Sequence, residues 1–214
     1  MTRGRLITLE GGDGAGKSSQ LGPMRDFLAH RGIPVLLTRE PGGTPLAEAI
    51  RSWILEATPE CPEPLTELLL VFAARRQHWV RVMEPALASG TWVVCDRFVD
   101  STYAYQGAGR GLPVSQIAAL EQWVLGSRRP DLTFFFEVPV ALALGRTGAR
   151  GDLNRMEQES LPWHERVQAG YRQRIDAEPD RFVVIQGTAD PLTVGGELCR
   201  ELERRLRMWE RGEA

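Results

Sequence analysis

Residues 11–18 read Gly11-Gly12-Asp13-Gly14-Ala15-Gly16-Lys17-Ser18, which is the full G-x-x-x-x-G-K-[ST] spacing. The apolar run Leu6–Leu9 precedes it and a helix-like stretch, Ser18–Arg31, follows. That strand–loop–helix setting is what separates the pattern from an ordinary glycine-rich turn. The glycines let successive backbone N–H groups turn toward one point without Cβ clashes. The helix that begins near Lys17 adds its partial positive charge at the same place. Lys17 is expected to reach the terminal phosphates of a bound nucleoside triphosphate, and the Ser18 hydroxyl, next to Ser19, to ligate Mg²⁺.

The rest of the chain alternates in the way such a loop requires. Strand-like apolar runs recur at Leu6–Leu9, Val35–Thr38, Trp92–Cys95, Leu132–Phe136 and Phe182–Ile185. Helical patterns separate them at Ser18–Arg31, Pro45–Leu55, Leu65–Ala88, Pro113–Leu125, Val140–Arg146, Glu157–Ala177 and Pro191–Arg211. Short strands that are apolar on both faces, alternating with helices, predict an α/β domain with a parallel, doubly wound sheet of five strands covered on both sides. At 214 residues the chain is read as one domain, residues 1–214, with a short mobile lid.

The composition excludes several classes. A net charge of −2 lacks the basic excess of a broad nucleic-acid or membrane-surface binder. No run approaches the roughly 18 apolar residues of a membrane span, and the N-terminal residues show no signal-peptide core. Cys61, Cys95 and Cys199 are odd in number and show no C-x-x-C or metal spacing, which points to a reducing, cytoplasmic compartment. His30, His78 and His164 are scattered and mark no metal site.

Three loops carry chemistry. Arg39-Glu40-Pro41-Gly42-Gly43-Thr44 and Gln106-Gly107-Ala108-Gly109-Arg110-Gly111 lie beyond carboxyl ends of strands, where ligands bind in open α/β sheets. Residues 146–157 form the candidate lid, glycine-hinged at 148 and 151 and rich in arginine. Asp96 ends the third strand and would organise the Mg²⁺ shell, although a strand-end Asp also serves as a helix N-cap. Beside it, Arg97 suits bridging a donor and an acceptor phosphate. Phe72 and Arg75, three apart in the helical pattern 65–88, offer an aromatic platform beside a fork of donors. Arg39, Arg51, Arg75 and Arg97 exceed what a triphosphate alone requires, so a second, anionic substrate is expected.

These residues resemble the bacterial thymidylate kinase family. The similarity runs in order along the chain through LEGGDGAGKSS, LTREPGGTPLAEAIR, LLLVFAARRQHW, VVCDRFVDSTYAYQGAGRG and ARGDLNRMEQES. The resemblance implies a nucleoside monophosphate kinase fold, transfer from ATP to thymidine monophosphate with Mg²⁺, and a homodimer. It implies that residues 11–19 hold ATP, that Lys17, Arg97, Arg146, Arg150 and Arg155 are catalytic, and that Ser18 and Asp96 serve the metal. Asp13 would reach the acceptor sugar; Glu40, Arg51 and Arg75 would hold the acceptor, Arg75 by its phosphate. Thr102 and Gln106 would meet the thymine edge, Tyr105 would crowd the sugar 2′ position, and Phe72 would stack on the base. Gly14 stands where some members carry a P-loop arginine, so catalysis falls to the lid, with Arg150 first. Val71 occupies the more usual stacking position, and Asn154 and Gly148 replace more usual lid residues. Helices 65–88 and 113–125 are plausible dimer elements, and Gly187–Asp190 a candidate adenine contact.

Two rivals remain at this level. One is another nucleoside monophosphate or deoxynucleoside kinase on the same fold. A kinase reading a ribonucleotide would gain nothing from Tyr105 crowding the sugar. A nucleoside kinase would use Glu40 as a general base, whereas Arg51 and Arg75 favour an acceptor already phosphorylated. A P-loop switch acting through a protein partner would need no second arginine-lined pocket.

Overall fold

The computed structural model describes residues 3–57 and 60–212. Five parallel strands form one sheet: β1 (Leu6–Glu10), β2 (Val35–Arg39), β3 (Trp92–Asp96), β4 (Leu132–Glu137) and β5 (Phe182–Gln186), in the order β2-β3-β1-β4-β5. The helices are α1 (Leu21–Ala29), α2 (Pro45–Leu55), α3 (Pro64–His78), α4 (Glu84–Ala88), α5 (Val99–Thr102), α6 (Val114–Leu125), α7 (Val140–Gly148), α8 (Leu161–Ala177) and α9 (Pro191–Glu210). Each strand agrees with its predicted run and extends one residue further.

The two-residue period of the strands divides the interior. Ile7, Leu9 and Val94 pack with Met24 and Leu28 of α1 and Leu198 and Leu202 of α9 on one face. Leu6, Val93 and Cys95 face Leu68, Phe72 and Trp79 on the other. Burial of each such side chain contributes about 1.5–3 kcal/mol, so both faces need their helices. Thr8 and Thr133 are the polar exceptions at the sheet's centre, and their hydroxyls satisfy one another at 2.8 Å.

Local signals start the helices. Thr44 caps α2, Glu63 caps α3 and Asp190 caps α9, each accepting from backbone N–H groups ahead, with a proline at the first helical position. The single helix expected over 65–88 is α3 and α4 joined by a wide turn at Trp79–Met83. Pro85 has no N–H to donate to the carbonyl four residues back, which disfavours a regular ladder there. A second wide-turn stretch, Tyr103–Gly109, continues α5, so Gln106–Gly109, read as loop from its glycines, is helical. Helix α8 lies hard against it. A Cβ at Gly170 would meet Ala108 Cβ at 2.8 Å and Ala104 Cα at 2.9 Å, so only glycine permits the approach. Among the described residues no helix is long and apolar enough to cross a membrane.

Candidate active site

The carboxyl ends of β1, β2 and β3 converge on the P-loop. Gly11, Gly14 and Gly16 take positive φ there, and Lys17 Nζ donates to the carbonyls of Gly11 (2.9 Å) and Gly12 (2.8 Å). Burial and the nearby Arg97 charge push the Lys17 ammonium down to about 8, against the pull of Asp96 and Asp13. Ser18 Oγ donates to Asp96 Oδ2 at 2.8 Å, while Asp96 Oδ1 is buried with no hydrogen-bond partner. That pairing draws Asp96 to the loop, and its side chain accepts no hydrogen bond that caps α5. Ser19 Oγ turns back to Gly16 O at 2.7 Å. Gly14 has a second reason to be glycine: on its backbone a Cβ would lie 2.2 Å from the Ala143 carbonyl oxygen. An arginine at 14 is sterically excluded in this conformation.

Arg97 is the hub. It has φ 67°, a left-handed conformation unusual for a residue with a Cβ. Its N–H donates to Leu9 O at 2.9 Å, and the next N–H, of Phe98, to Glu10 Oε1 at 2.7 Å. The guanidinium donates to Gly11 O (2.8 Å), Tyr171 Oη (3.0 Å) and Asp13 Oδ1 (2.7 Å). Asp13 also accepts from Tyr105 Oη at 2.8 Å. Burial opposes ionisation of Asp13, but the Arg97 and Lys17 charges outweigh it and hold the carboxyl at about 2. An acid among phosphates thus has its positive compensator built in. Tyr105 is fixed edge-on against Trp163, with centroids 5.5 Å apart.

Two clefts meet at this hub. The inner one, open on one side to solvent, spans about 580 Å³ and is walled by Val71, Arg75, Thr102, Tyr105 and Gln106. The outer one, about 1410 Å³, runs along Lys17, Ser18, Arg39, Arg146 and Arg150. Asp13, Glu40, Arg51, Arg97 and Asn154 line both, so they stand at the passage between them. A third cleft of about 760 Å³ follows Gly14–Gly16 to Gly187–Asp190, the segment expected beside adenine.

Several expected residues take other places. Phe72 does not face the cleft: it is buried in the core with Leu68, Trp79 and Phe98, and Val71 lines the wall instead. One helical position is a rotation of about 100°, and the larger ring took the larger apolar contact. Arg75 is 2% exposed, and its guanidinium donates to Glu40 (2.7 Å), Thr102 Oγ1 (2.9 Å) and Phe98 O (3.1 Å), which leaves one further N–H on each terminal nitrogen. It lines only the inner cleft and is neutralised by Glu40, whereas Arg51 and Arg97 line both clefts. Glu40 is held below the usual carboxylate range: burial opposes this, and Arg75 and a hydrogen bond from His78 outweigh it. A carboxylate so committed is not a base in waiting.

The lid arginines divide likewise. Arg150 lines the outer cleft, largely exposed and paired to Glu157; Arg146 rests on Gly187 O at 2.9 Å. Arg155 lines neither: its guanidinium is bound to Glu67 and to Ile54 O, at 2.9 and 3.0 Å. It ties the C-terminal end of segment 146–157 to α2 and α3 and does not line the outer cleft. Glu10, Ser101 and Tyr171, which share hydrogen bonds beneath Arg97, were missed from sequence. Only Glu10 carried a signal, as an acid directly following a strand buried on both faces.

With this geometry in view, the comparisons with known proteins agree on one family. The family model described as thymidylate kinase matches residues 9–194. A thymidylate kinase of Pseudomonas putida is 55% identical over 191 residues, 87% of this chain and 90% of its own. That of Chromobacterium violaceum is 48% identical over 211 residues, 98% and 97% of the two chains. The crystal structure of thymidylate kinase from Ehrlichia chaffeensis superposes with a TM-score of 0.76 at 34% identity, covering 94% of this chain and 99% of that one.

Proposed function

The chain belongs to the thymidylate kinase family, and on that ground we propose that it transfers the terminal phosphoryl group of ATP to thymidine monophosphate, giving thymidine diphosphate and ADP. The observation that carries the reading is the passage between the two clefts, where Arg97 and Asp13 stand within reach of both. One nucleotide enters from the P-loop side and the other from the inner side, and their phosphates meet at Arg97.

The acceptor nucleophile is a phosphate oxygen, already ionised near neutral pH, so no general base is needed; the protein positions and stabilises charge. Lys17 and the loop N–H groups hold the donor phosphates, Arg51 and Arg97 the acceptor phosphate. Arg150, with Arg146, supplies cations as charge spreads over the transferring oxygens. Asp13 accepts from the acceptor sugar, and Tyr105 fills the space beside it. Among the described residues no three acids, histidines or cysteines form a metal cluster. The Ser18 hydroxyl and the unpartnered Asp96 Oδ1 are instead the groups that would hold Mg²⁺ beside the donor phosphates. Mg²⁺ bound there would neutralise charge on the donor phosphates. The dimer reading is supported by Leu65 and Leu69 of α3 and Trp123 of α6, which are exposed.

A coupled ADP-release assay with Mg-ATP across thymidine, uridine, cytidine and adenosine monophosphates tests the assignment. Thymidine monophosphate is expected to turn over far faster than the others, and thymidine itself not at all. Equal rates for several acceptors, or turnover of nucleosides alone, would refute it. Light scattering of the same preparation is expected to give twice the 23.9 kDa chain mass; the single-chain mass would refute the dimer.

A further inference from the structure

The inner wall holds an arrangement that phosphoryl transfer itself leaves unused. Glu67, in the first turn of α3, is 1% exposed and does not line the inner cleft. Its carboxylate is ringed by donors. Oε1 accepts from Gln106 Nε2 at 2.8 Å and lies 3.4 Å from Arg110 Nε; Oε2 accepts from Arg155, with an Arg110 terminal nitrogen at 3.4 Å. A carboxylate between two guanidiniums has only acceptor atoms to offer. The Gln106 amide can therefore face it in one way, nitrogen toward Glu67 and oxygen away from it. Gln106 lines the inner cleft, so the group it has left for a ligand there is the oxygen, an acceptor. Arg75 in the same wall offers donors only.

We propose that Glu67 fixes the hydrogen-bonding polarity of Gln106, and thereby makes the cleft read a pyrimidine edge with a protonated N3 beside a 4-carbonyl. The cytosine edge presents the inverse, an N3 acceptor beside an amino group, and meets acceptor against acceptor and donor against donor. The inference rests on the thymidine monophosphate reading above and names the device behind its selectivity. Glu67 touches no substrate and acts through Gln106, as a positioning residue.

Glu67→Gln discriminates because it is isosteric and its consequence has a direction. Arginines only donate, so the oxygen of the new amide stays at the Oε2 position with Arg155 and Arg110. Its nitrogen takes the Oε1 position, where only the long Arg110 Nε contact is lost. Confronted with a donor, the Gln106 amide turns over and presents its nitrogen to the cleft. The assay compares kcat/KM for thymidine monophosphate and 5-methyldeoxycytidine monophosphate, which share the methyl group and differ only at N3 and C4. In Glu67→Gln the ratio of the two is expected to fall about tenfold or more, with the cytosine substrate's own kcat/KM rising. Loss of both activities in parallel, the mark of a merely structural role, overturns the proposal, as does a wild-type ratio near one. In a Gln106→Leu background, Glu67→Gln is expected to leave the ratio unchanged; a further change there overturns the route through Gln106. If thermal melting shows that Glu67→Gln does not fold, Gln106→Asn replaces it. Its shorter amide cannot keep the 2.8 Å contact, the ratio must fall, and an unchanged ratio overturns the lock. Failure of the wild-type chain to phosphorylate thymidine monophosphate would instead overturn the function proposed above, and that assay is read first.

Discussion

The inner and outer ends of the active site are built in opposite ways. At the inner end every charged side chain already has a protein partner. Arg75 is buried and bound to Glu40, Thr102 and Phe98, and Glu67 is bound to Gln106, Arg110 and Arg155. At the outer end the cations are held lightly. Arg150 is 61% exposed with Glu157 as its partner, and Lys17 and Arg146 lean on backbone carbonyls. Groups satisfied within the protein keep their geometry before a ligand arrives, which suits recognition of a base. Cations with weak partners exchange them cheaply for phosphate, which suits charge that appears only during transfer. On the function proposed above, the inner end would set selectivity and the outer end would supply charge during transfer.

The sharpest way to break that contrast is Arg150→Ala. If the exposed lid cation acts chiefly in the transition state, kcat should fall by roughly 10³-fold or more while KM changes little. Its exposed ion pair contributes at most about 1 kcal/mol to stability, so the melting temperature should hold. Steady-state kinetics and a thermal melt check both halves. A raised KM with kcat intact would make the lid a clamp, and the outer end would resemble the inner one.

Arg75→Ala should show the reverse balance. It leaves Glu40 buried beside His78 without its main partner, a loss of about 3–5 kcal/mol. The melting temperature is expected to drop by about 10 °C for a domain of this size, with weakened acceptor binding in whatever fraction stays folded. Restoring neutrality with Arg75→Met and Glu40→Gln together should recover much of the stability but not acceptor affinity. A melting temperature indistinguishable from that of Arg150→Ala would erase the distinction between the two ends.

The same contrast explains what was legible in the sequence. The P-loop, the five-stranded parallel sheet implied by alternating elements and the cluster of arginines follow from local patterns, whereas the strand order comes from the structure. Apolar runs end at Leu9, Thr38, Cys95, Phe136 and Ile185, whereas pairing continues through Glu10, Arg39, Asp96, Glu137 and Gln186. Hydrophobicity reports burial, but a strand is a backbone ladder, and at the carboxyl edge its last members are polar because the site begins there. Arg146, Arg150 and Arg155 look equivalent in a spacing. What separates them is Glu67, 88 residues before Arg155, a tertiary partner that no local pattern contains. Tyr171 touches Arg97 from 74 residues away and is silent for the same reason. Phe72 and Val71 differ only by a rotation about the helix, which the packed core decides.

Glu10 lies beneath the hub that joins the two ends, and it gives the smallest effect and the one most specific in pH. Phe98 N–H donates to Oε1, and Ser101 and Tyr171 hydroxyls to Oε2, at 2.6–3.0 Å. Burial and then the Asp100 charge push its carboxyl from 4.5 up to about 7, against the opposing pulls of Ser101 and Arg97. Between those two values the folded state holds a proton that the unfolded chain has released. Its contribution to stability is therefore complete below about pH 4.5 and is lost as pH rises through about 7. Glu10→Gln cannot ionise, so its melting temperature should decline less than that of the wild type between pH 5 and 8, a difference on the order of 1–3 kcal/mol. Calorimetry of both chains across that window checks the slope. Parallel profiles would mean that Glu10 keeps one charge state throughout, and that the strained Arg97 backbone rests on a carboxylate as fully committed as those of the inner end.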